Sequence, residues 1–519
     1  MTSEPASTNR WATWAWLVLL LGFCALFFAE PLNLTSADLG RHLKNGQLLW
    51  EHPEVLSTNF YSYTEPDHPF VNHHWGSGVI FFLLWKLGGF TGLHLFFIAL
   101  NLVALAIAFQ CAQERVGVGI AALLAILITP LFSIRAEVRP EAFSYLFTAV
   151  LFRRFVRFRD QQLSLWDLWW VPVVEAAWVN LHSYFIIGPG LIAAFLIDSL
   201  CSPPRRGHTR SLAVVLGFTV LATLCNPFGV KGALVPLTIF HEYGYRLFEN
   251  QSVLFLLARF QTPALWLFIG VCVVLGLSLG AAWSRVGKSA GVAETLIALG
   301  VSTMGWAAYR NLALFGLLAL PLIASGFGKL RARRSSSDHL FALAAALSLV
   351  LAVAWPSTVW SPPRAAGRGL GLEPGDGAAA DFIRQQRLEG PIFNNYDIGG
   401  YLIFHLFPEH HVFVDNRPEA YSASFFTKVY VPMQEDEAVW RGTNEKFGFN
   451  MIIFHRHDLT SWGQQFMIAR VDDPAWAPVF VDKNTIIFLK RSGQNRPTID
   501  RYEIPRRTFQ IVPTTPRQP

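Results

Sequence analysis

Charge is what this sequence has least of: 15% of its 519 residues are acidic or basic, against about 25% in ordinary soluble domains. That deficit argues against a water-solvated globular domain and points to lipid as the main solvent. Cysteine is scarce as well. Its five copies, Cys24, Cys111, Cys201, Cys225 and Cys272, all fall in or beside apolar runs, so neither a disulfide framework nor a zinc motif is indicated. Walker loops, nucleophile elbows, Cys/His catalytic pairs and dinucleotide fingerprints are also missing, which removes the common nucleotide-using and nucleophilic-hydrolase classes.

What is present is hydrophobic: 52% apolar and 14% aromatic residues, with a mean hydropathy of +0.34. Runs near the roughly 20-residue spanning length recur at 12–28, 90–111, 117–132, 141–152, 168–179, 184–200, 212–225, 264–283, 294–306, 312–326 and 340–355. The expectation is a mainly α, polytopic membrane bundle of about eleven spans. The first run follows Arg10 and ends in Ala-Glu-Pro, without a small-x-small cleavage site, so it reads as a retained span. Basic clusters at Arg153, Arg154, Arg157 and Arg159, at Arg205, Arg206 and Arg210, at Arg285 and Lys288, and at Lys329, Arg331, Arg333 and Arg334 each follow an even-numbered run. By the positive-inside rule the N-terminus is then cytoplasmic and the C-terminus exported. The formal net charge of +6 is explained without nucleic acid.

The pattern divides the chain into a membrane region (1–356, with its first exported loop at 30–88), a Pro/Gly/Ala-rich linker (357–377), a small exported α/β domain (378–492) and a flexible tail (493–519). In the exported domain, 391–393, 401–404, 412–414, 451–454, 478–481 and 485–489 read as strands, with helices at 378–386 and 437–447. Within the first loop, 38–50 and 79–87 read as helices lying along the membrane interface.

That loop concentrates chemistry. Asp38 and His42 share a helical face, Arg41 and Lys44 flank them, and Asn72-His73-His74-Trp75 closes the segment. A carboxylate there can take a proton from an attacking hydroxyl or help hold a metal while the cations bind phosphate; a solvated interfacial helix with ordinary ion pairs is the structural alternative. Other polar groups fall on the same side: Arg135, Glu137, Arg139 and Glu141; Asn180, His182 and Ser183; Asn226; Glu249 and Gln251; Tyr309, Arg310 and Asn311. Arg139 and Arg310 break the positive-inside pattern, which marks them as anion binders unless they are interface anchors. Asn394–Asp397, Gly399-Gly400-Tyr401 and Asp415-Asn416-Arg417 suit either a ligand-binding edge or tight turns.

Asp38-Leu-Gly-Arg-His42-Leu, Asn72-His-His-Trp75, Arg139-Pro-Glu141 and Gly399-Gly-Tyr401 with Val414-Asp415 resemble a bacterial branch of the GT-C superfamily of membrane glycosyltransferases, which includes the protein O-mannosyltransferases and aminoarabinose transferases. The resemblance implies an inverting transfer, on the exported side of a bacterial inner membrane, from a polyprenyl-phosphate sugar to a glycan, lipid or protein acceptor. It implies Asp38 as general base or metal ligand, Arg41, Arg139 and Arg310 on the donor phosphate, and His42, His73, His74, Glu141 and His182 in support. Many members carry a paired acid, Asp-x-Asp or Glu-Asp; here Gly40 stands two after Asp38, which leaves a divalent metal open and His42 or Glu141 as the second group. The competing class is non-enzymatic: a transporter or flippase for lipid-linked glycans, or an assembly factor.

Overall fold

The computed structural model describes residues 10–54, 56–238, 243–245, 247–260, 262–287, 291–330, 338–354, 367–458 and 460–510. The expected cytoplasmic start (1–9), Lys288, Arg331, Arg333 and Arg334 of the basic clusters, the linker to 366 and the tail from 511 lie outside the described residues.

The first two thirds are helical. α1 (Arg10–Phe28) leads into the first long loop, where α2 (Leu39–Glu51) buries Leu39, Leu43 and Leu49 against α3 (Trp75–Val116). Helix α3 breaks at Gly89, whose φ of 61° only glycine adopts without strain, so the stretch before Gly89 is set off from the long apolar stretch that follows. α4 (Val118–Phe132), α5 (Glu141–Arg159), α6 (Val171–Trp178), α7 (Ile187–Cys201) and α8 (Thr209–Ala222) continue the bundle, followed by Pro263–Val286, Val292–Ala307, Leu312–Leu330 and Asp338–Ala354. The segments Trp11–Phe28, Trp75–Val116, Ser183–Cys201, Pro263–Val286 and Tyr309–Leu330 are long and apolar enough to cross a bilayer, and Val118–Phe132, Val292–Ala307 and Asp338–Val353 are shorter apolar helices. Several expected spans are less than that. α6 has 8 residues, about 12 Å of helix against a hydrocarbon core of about 30 Å; α8 has 14, and the last turns of α5 carry four arginines.

In the C-terminal region four strands form one sheet in the order β1-β2-β4-β3. β1 (Ile392–Asn394) runs parallel to β2 (Met451–His455), and β4 (Thr485–Lys490) lies antiparallel to both β2 and β3 (Trp476–Val481). Phe393 sits at the centre of an aromatic core, 5.2–5.4 Å from Phe413, Trp440, Phe449, Phe454 and Phe466. Two expected strands are corrected. Residues 401–404 lie in the helix Gly399–Leu406, which packs on α2, and 412–414 make a single bridge, Val412 to Ser62, outside the sheet. A four-residue apolar run fits a buried helix as well as a strand, and packing against α2 decides it. The expected flexible end is also corrected where it is described: Arg496–Tyr502 is a helix whose Ile499 is buried against β3.

The loop after α1 is held between the bundle and the C-terminal region. Leu32 pairs with Leu372, the Leu34 amide donates to Asp376 Oδ1 at 3.0 Å, and Tyr63 donates to the Ile392 carbonyl at 2.7 Å. The tightest clamp is Arg417, 1% exposed, which donates to Asp415 Oδ1 (2.8 Å) and Oδ2 (2.7 Å), and to Asn59 Oδ1 (2.6 Å). Its guanidinium also lies 4.7 Å from the Phe70 ring. Removing one partner of a buried pair leaves the other charge unpaired. Arg417→Leu is therefore expected to lose about 3–5 kcal/mol, read by thermal unfolding of the purified protein; a loss below about 1 kcal/mol would show that Asp415 needs no partner.

Candidate active site

The nine residues that the resemblance implies for the site line one cavity of about 550 Å³ at one end of the bundle: Asp38, Arg41, His42, His73, His74, Arg139, Glu141, His182 and Arg310. Five separate stretches of chain bring them together. Asp38 is the N-cap of α2, His74 the N-cap of α3, Glu141 opens α5, His182 precedes α7, and Arg310 lies in the turn before Leu312–Leu330. The convergence reflects short turns: each polar group sits where a helix starts or stops, so its backbone is fixed by the bundle.

Two arginines organise the acids. Arg139 Nη1 contacts Asp38 Oδ2 at 2.8 Å and lies 3.6 Å from Glu249, while its Nε donates to Glu137 at 2.6 Å. Arg135 bonds Glu249 at 2.6 Å and Glu141 at 3.2 Å. Burial pushes the Asp38 carboxyl above its usual range, and Arg139 and Arg41 only partly offset it. For Glu249 the balance is opposite: burial opposes ionisation, yet Arg135, Arg139 and Arg310 hold it well below the carboxylate range.

Two other cations are in no ion pair among the described residues, although Arg41 acts on Asp38 and Glu419 from a distance and Arg310 on Glu249. Arg41, 5% exposed, donates through Nε to Asn416 Oδ1 at 3.1 Å. Arg310 has no ion pair among the described residues, and its buried Nε lacks a hydrogen-bond partner. Glu419 is not among the residues singled out from the sequence, and Asn416 is there only as part of Asp415-Asn416-Arg417, read as a ligand-binding edge or a tight turn. They reach the cavity from the C-terminal region, on and beside the turn Pro418–Ala420. Asp415 and Arg417 were readable as turn chemistry; that the side chain between them meets Arg41 across 375 positions has no local signal. Arg135 and Glu249 were legible only as polar loop residues.

The histidines form a stack. His42 and His74 meet edge to face at 5.4 Å, His73 and His74 lie 3.8 Å apart, and His74 stacks on His182 at 5.3 Å. Burial, reinforced by Arg41 and neighbouring imidazoles, holds His42 and His74 far below the usual histidine value, and burial brings His73 to about 4 and His182 to about 3. Asp38 and His42 share no side-chain bond in this arrangement.

The donor set does not fit a divalent metal. Among the described residues no three His, Cys, Asp or Glu side chains gather as ligands, and Asp38, Glu137, Glu141 and Glu249 each already face Arg135 or Arg139. Gly40 faces the C-terminal region: a Cβ there would lie 2.6 Å from the Gly400 carbonyl oxygen. A second acid at that position has no room.

No family model and no curated protein matches the sequence. Solved structures do match. An oligosaccharyltransferase, AglB, from Archaeoglobus fulgidus in complex with an inhibitory peptide and a dolichol-phosphate aligns with TM-score 0.60 and 11% identity, over 91% of this chain and 73% of that one. ArnT from Cupriavidus metallidurans bound to undecaprenyl phosphate aligns with TM-score 0.51 and 14% identity, over 94% and 99%. The arabinofuranosyltransferase AftD from Mycobacteria aligns with TM-score 0.50 and 13% identity, over 94% of this chain and 40% of that one. A further structure of the archaeal enzyme, with zinc and sulfate, has TM-score 0.56 at 12% identity. The neighbours are GT-C glycosyltransferases, and the chain has their fold: a membrane helical bundle carrying a polar site at the ends of its helices.

Proposed function

We propose that this protein is an integral-membrane glycosyltransferase that moves a sugar from a polyprenyl-phosphate donor to an acceptor hydroxyl on the exported side. One observation supports the reading: a single cavity holds a carboxylate, Asp38, braced by Arg139, together with the buried Arg41 and the half-buried Arg310, neither of which is in an ion pair among the described residues. A catalytic carboxylate beside unpaired guanidinium groups is what displacement of a lipid phosphate requires. The lipids in the AglB and ArnT structures, dolichol-phosphate and undecaprenyl phosphate, are of the same chemical class.

In the proposed step Asp38 takes the proton of the acceptor hydroxyl as its oxygen attacks the anomeric carbon. The bond from that carbon to the phosphate oxygen breaks, its electron pair leaves with the lipid phosphate, and the anomeric configuration inverts. Arg310 and Arg41 receive the phosphate. Arg139 is reassigned: with Nη1 on Asp38 and Nε on Glu137, it orients the base. No step is routed through a metal. The proposed topology keeps the N-terminus cytoplasmic, with the short apolar helices completing about eleven crossings, in a bacterial plasma membrane. Residues 378–492 serve as the exported domain that closes the cavity through Asn416 and Glu419. Glycan, lipid and protein acceptors all fit this scheme. The charged groups converge on one cavity at the helix ends, the arrangement of a surface-facing enzyme and not of a two-ended flippase path.

Arg310→Ala, in purified protein reconstituted in nanodiscs, is expected to weaken undecaprenyl phosphate binding about tenfold, the value of one charge-assisted contact of about 1.4 kcal/mol. Unchanged affinity in both Arg310→Ala and Arg41→Ala would remove the phosphate assignment.

A further inference from the structure

The four imidazoles have no part in the displacement just described, yet they occupy one side of its cavity. Their protons can be assigned from their partners. His73 Nδ1 faces the Val71 carbonyl at 3.1 Å; a carbonyl only accepts, so Nδ1 carries the hydrogen and Nε2 is left as a bare acceptor. That Nε2 is buried and has no partner. His182 is the reverse. Trp178 Nε1, a donor only, gives its hydrogen to Ser144 Oγ at 2.7 Å, so the Ser144 hydroxyl is free to donate to His182 Nδ1 at 2.9 Å. The Tyr184 amide also donates to that nitrogen, at 3.3 Å. His182 therefore carries its hydrogen on Nε2 and offers a donor. His42 adds a second buried ring nitrogen, Nδ1, with no partner.

A buried polar atom without a partner is costly and rare. Here two lie in one stack, with a fixed donor beside them. The groups are uncharged, since burial and the neighbouring arginines keep all four rings deprotonated at neutral pH. Among the described residues no three His, Cys, Asp or Glu side chains converge as metal ligands. An uncharged surface that alternates acceptors and donors matches hydroxyl groups, each of which gives one hydrogen and accepts others.

We propose that His42, His73, His74 and His182 form the subsite for the donor's sugar ring, and that they select an uncharged, hydroxyl-rich sugar. This rests on the lipid-phosphate donor reading given above. The layout agrees with it: the charges of Arg41 and Arg310 both act on His73, so a phosphate held by those arginines carries its sugar beside the stack. An amino sugar would need a carboxylate without a counter-ion. The acids next to the stack are ion-paired, and Glu419, which is outside the salt bridges among the described residues, is disfavoured as a charge by burial, with Arg41 the strongest charge acting against that.

The test compares phosphodiesters of undecaprenol that carry the same phosphate charge: methyl, glucosyl, mannosyl and 4-amino-4-deoxyarabinosyl. Equilibrium binding is measured at pH 7 with full-length protein in nanodiscs. The glucosyl or mannosyl lipid is expected to bind about tenfold tighter than the methyl diester, as two or three added hydrogen bonds would give, while the amino sugar gains nothing. His73→Phe and His42→Phe, which change different elements, should each erase the gain and leave methyl-diester affinity within about twofold. An equal gain for the amino sugar, no gain for either hexose, or a gain that survives both substitutions overturns the subsite. If the methyl diester itself fails to bind, the donor reading falls and the subsite with it.

Discussion

Asp38→Asn is expected to lower transfer about a thousandfold, within the range a positioned general base contributes, while leaving the fold in place. The two effects separate for a physical reason. The Asp38–Arg139 contact is 2.8 Å, but the side chains are 23% and 12% exposed, and a partly solvated pair of this kind contributes little to stability, about 1 kcal/mol or less. Asparagine keeps an oxygen toward Arg139, which also retains Glu137. What it loses is basicity. The pH profile gives a second reading. Burial raises the Asp38 carboxyl above its ordinary value, and a base acts only when ionised. The rate should therefore rise with pH through that elevated value, and the residual rate of Asp38→Asn should lack this limb. A variant with full turnover, or with the same acid limb, would take the base role away from Asp38.

Gly40→Asp restores the paired acid of related enzymes on paper, and is expected to damage the protein instead. Its Cβ would lie 2.6 Å from the Gly400 carbonyl oxygen and 3.1 Å from Phe404 Cβ. The obstruction is backbone of the packed helix Gly399–Leu406, so it cannot rotate away. Overpacking alone costs about 1–3 kcal/mol, and the buried carboxylate adds a desolvation penalty. Thermal unfolding should show a loss above about 3 kcal/mol, with Gly40→Ala losing less. Neither variant should become metal-stimulated. A stable Gly40→Asp protein whose transfer depends on added manganese would show that the position is a vacant ligand site after all.

Gly40 also shows where sequence reading stops. As a string, Asp38-Leu39-Gly40 is an acidic motif with its second acid missing; in the fold the glycine is a helix-crossing contact. The apolar runs and the polar residues at their ends were legible because each depends on a local pattern: run length for a span, residue type at a helix terminus for a cavity wall. Asp38, Arg41, the histidines and Arg310 could be found this way. Arg139 was legible as a loop cation, but its commitment to Asp38 and Glu137 depends on how α2 and α5 meet. Asn416 was legible only as part of a turn or ligand-binding edge, since its contact with Arg41 lies 375 positions away along the chain, and Glu419 had no local signal. The segment 401–404 was misread because four apolar residues carry no period, and the lengths of α6 and α8 were not legible because hydropathy does not show where a helix ends.

The clamp between Asn59 and Arg417 has a consequence for biogenesis. Its two ends are separated by 358 positions, and the wall that carries Asn416 is set in place beside it. Synthesis runs from the N-terminus, so Asp38, Arg41 and the histidines are already made and inserted while that wall is still being translated. Through most of its production the nascent chain holds the chemical groups of the site without the enclosure that desolvates them. The proposed transfer would then wait until the C-terminal region has been made and has docked, and a chain terminated before it would lack the wall that Asn416 and Glu419 supply.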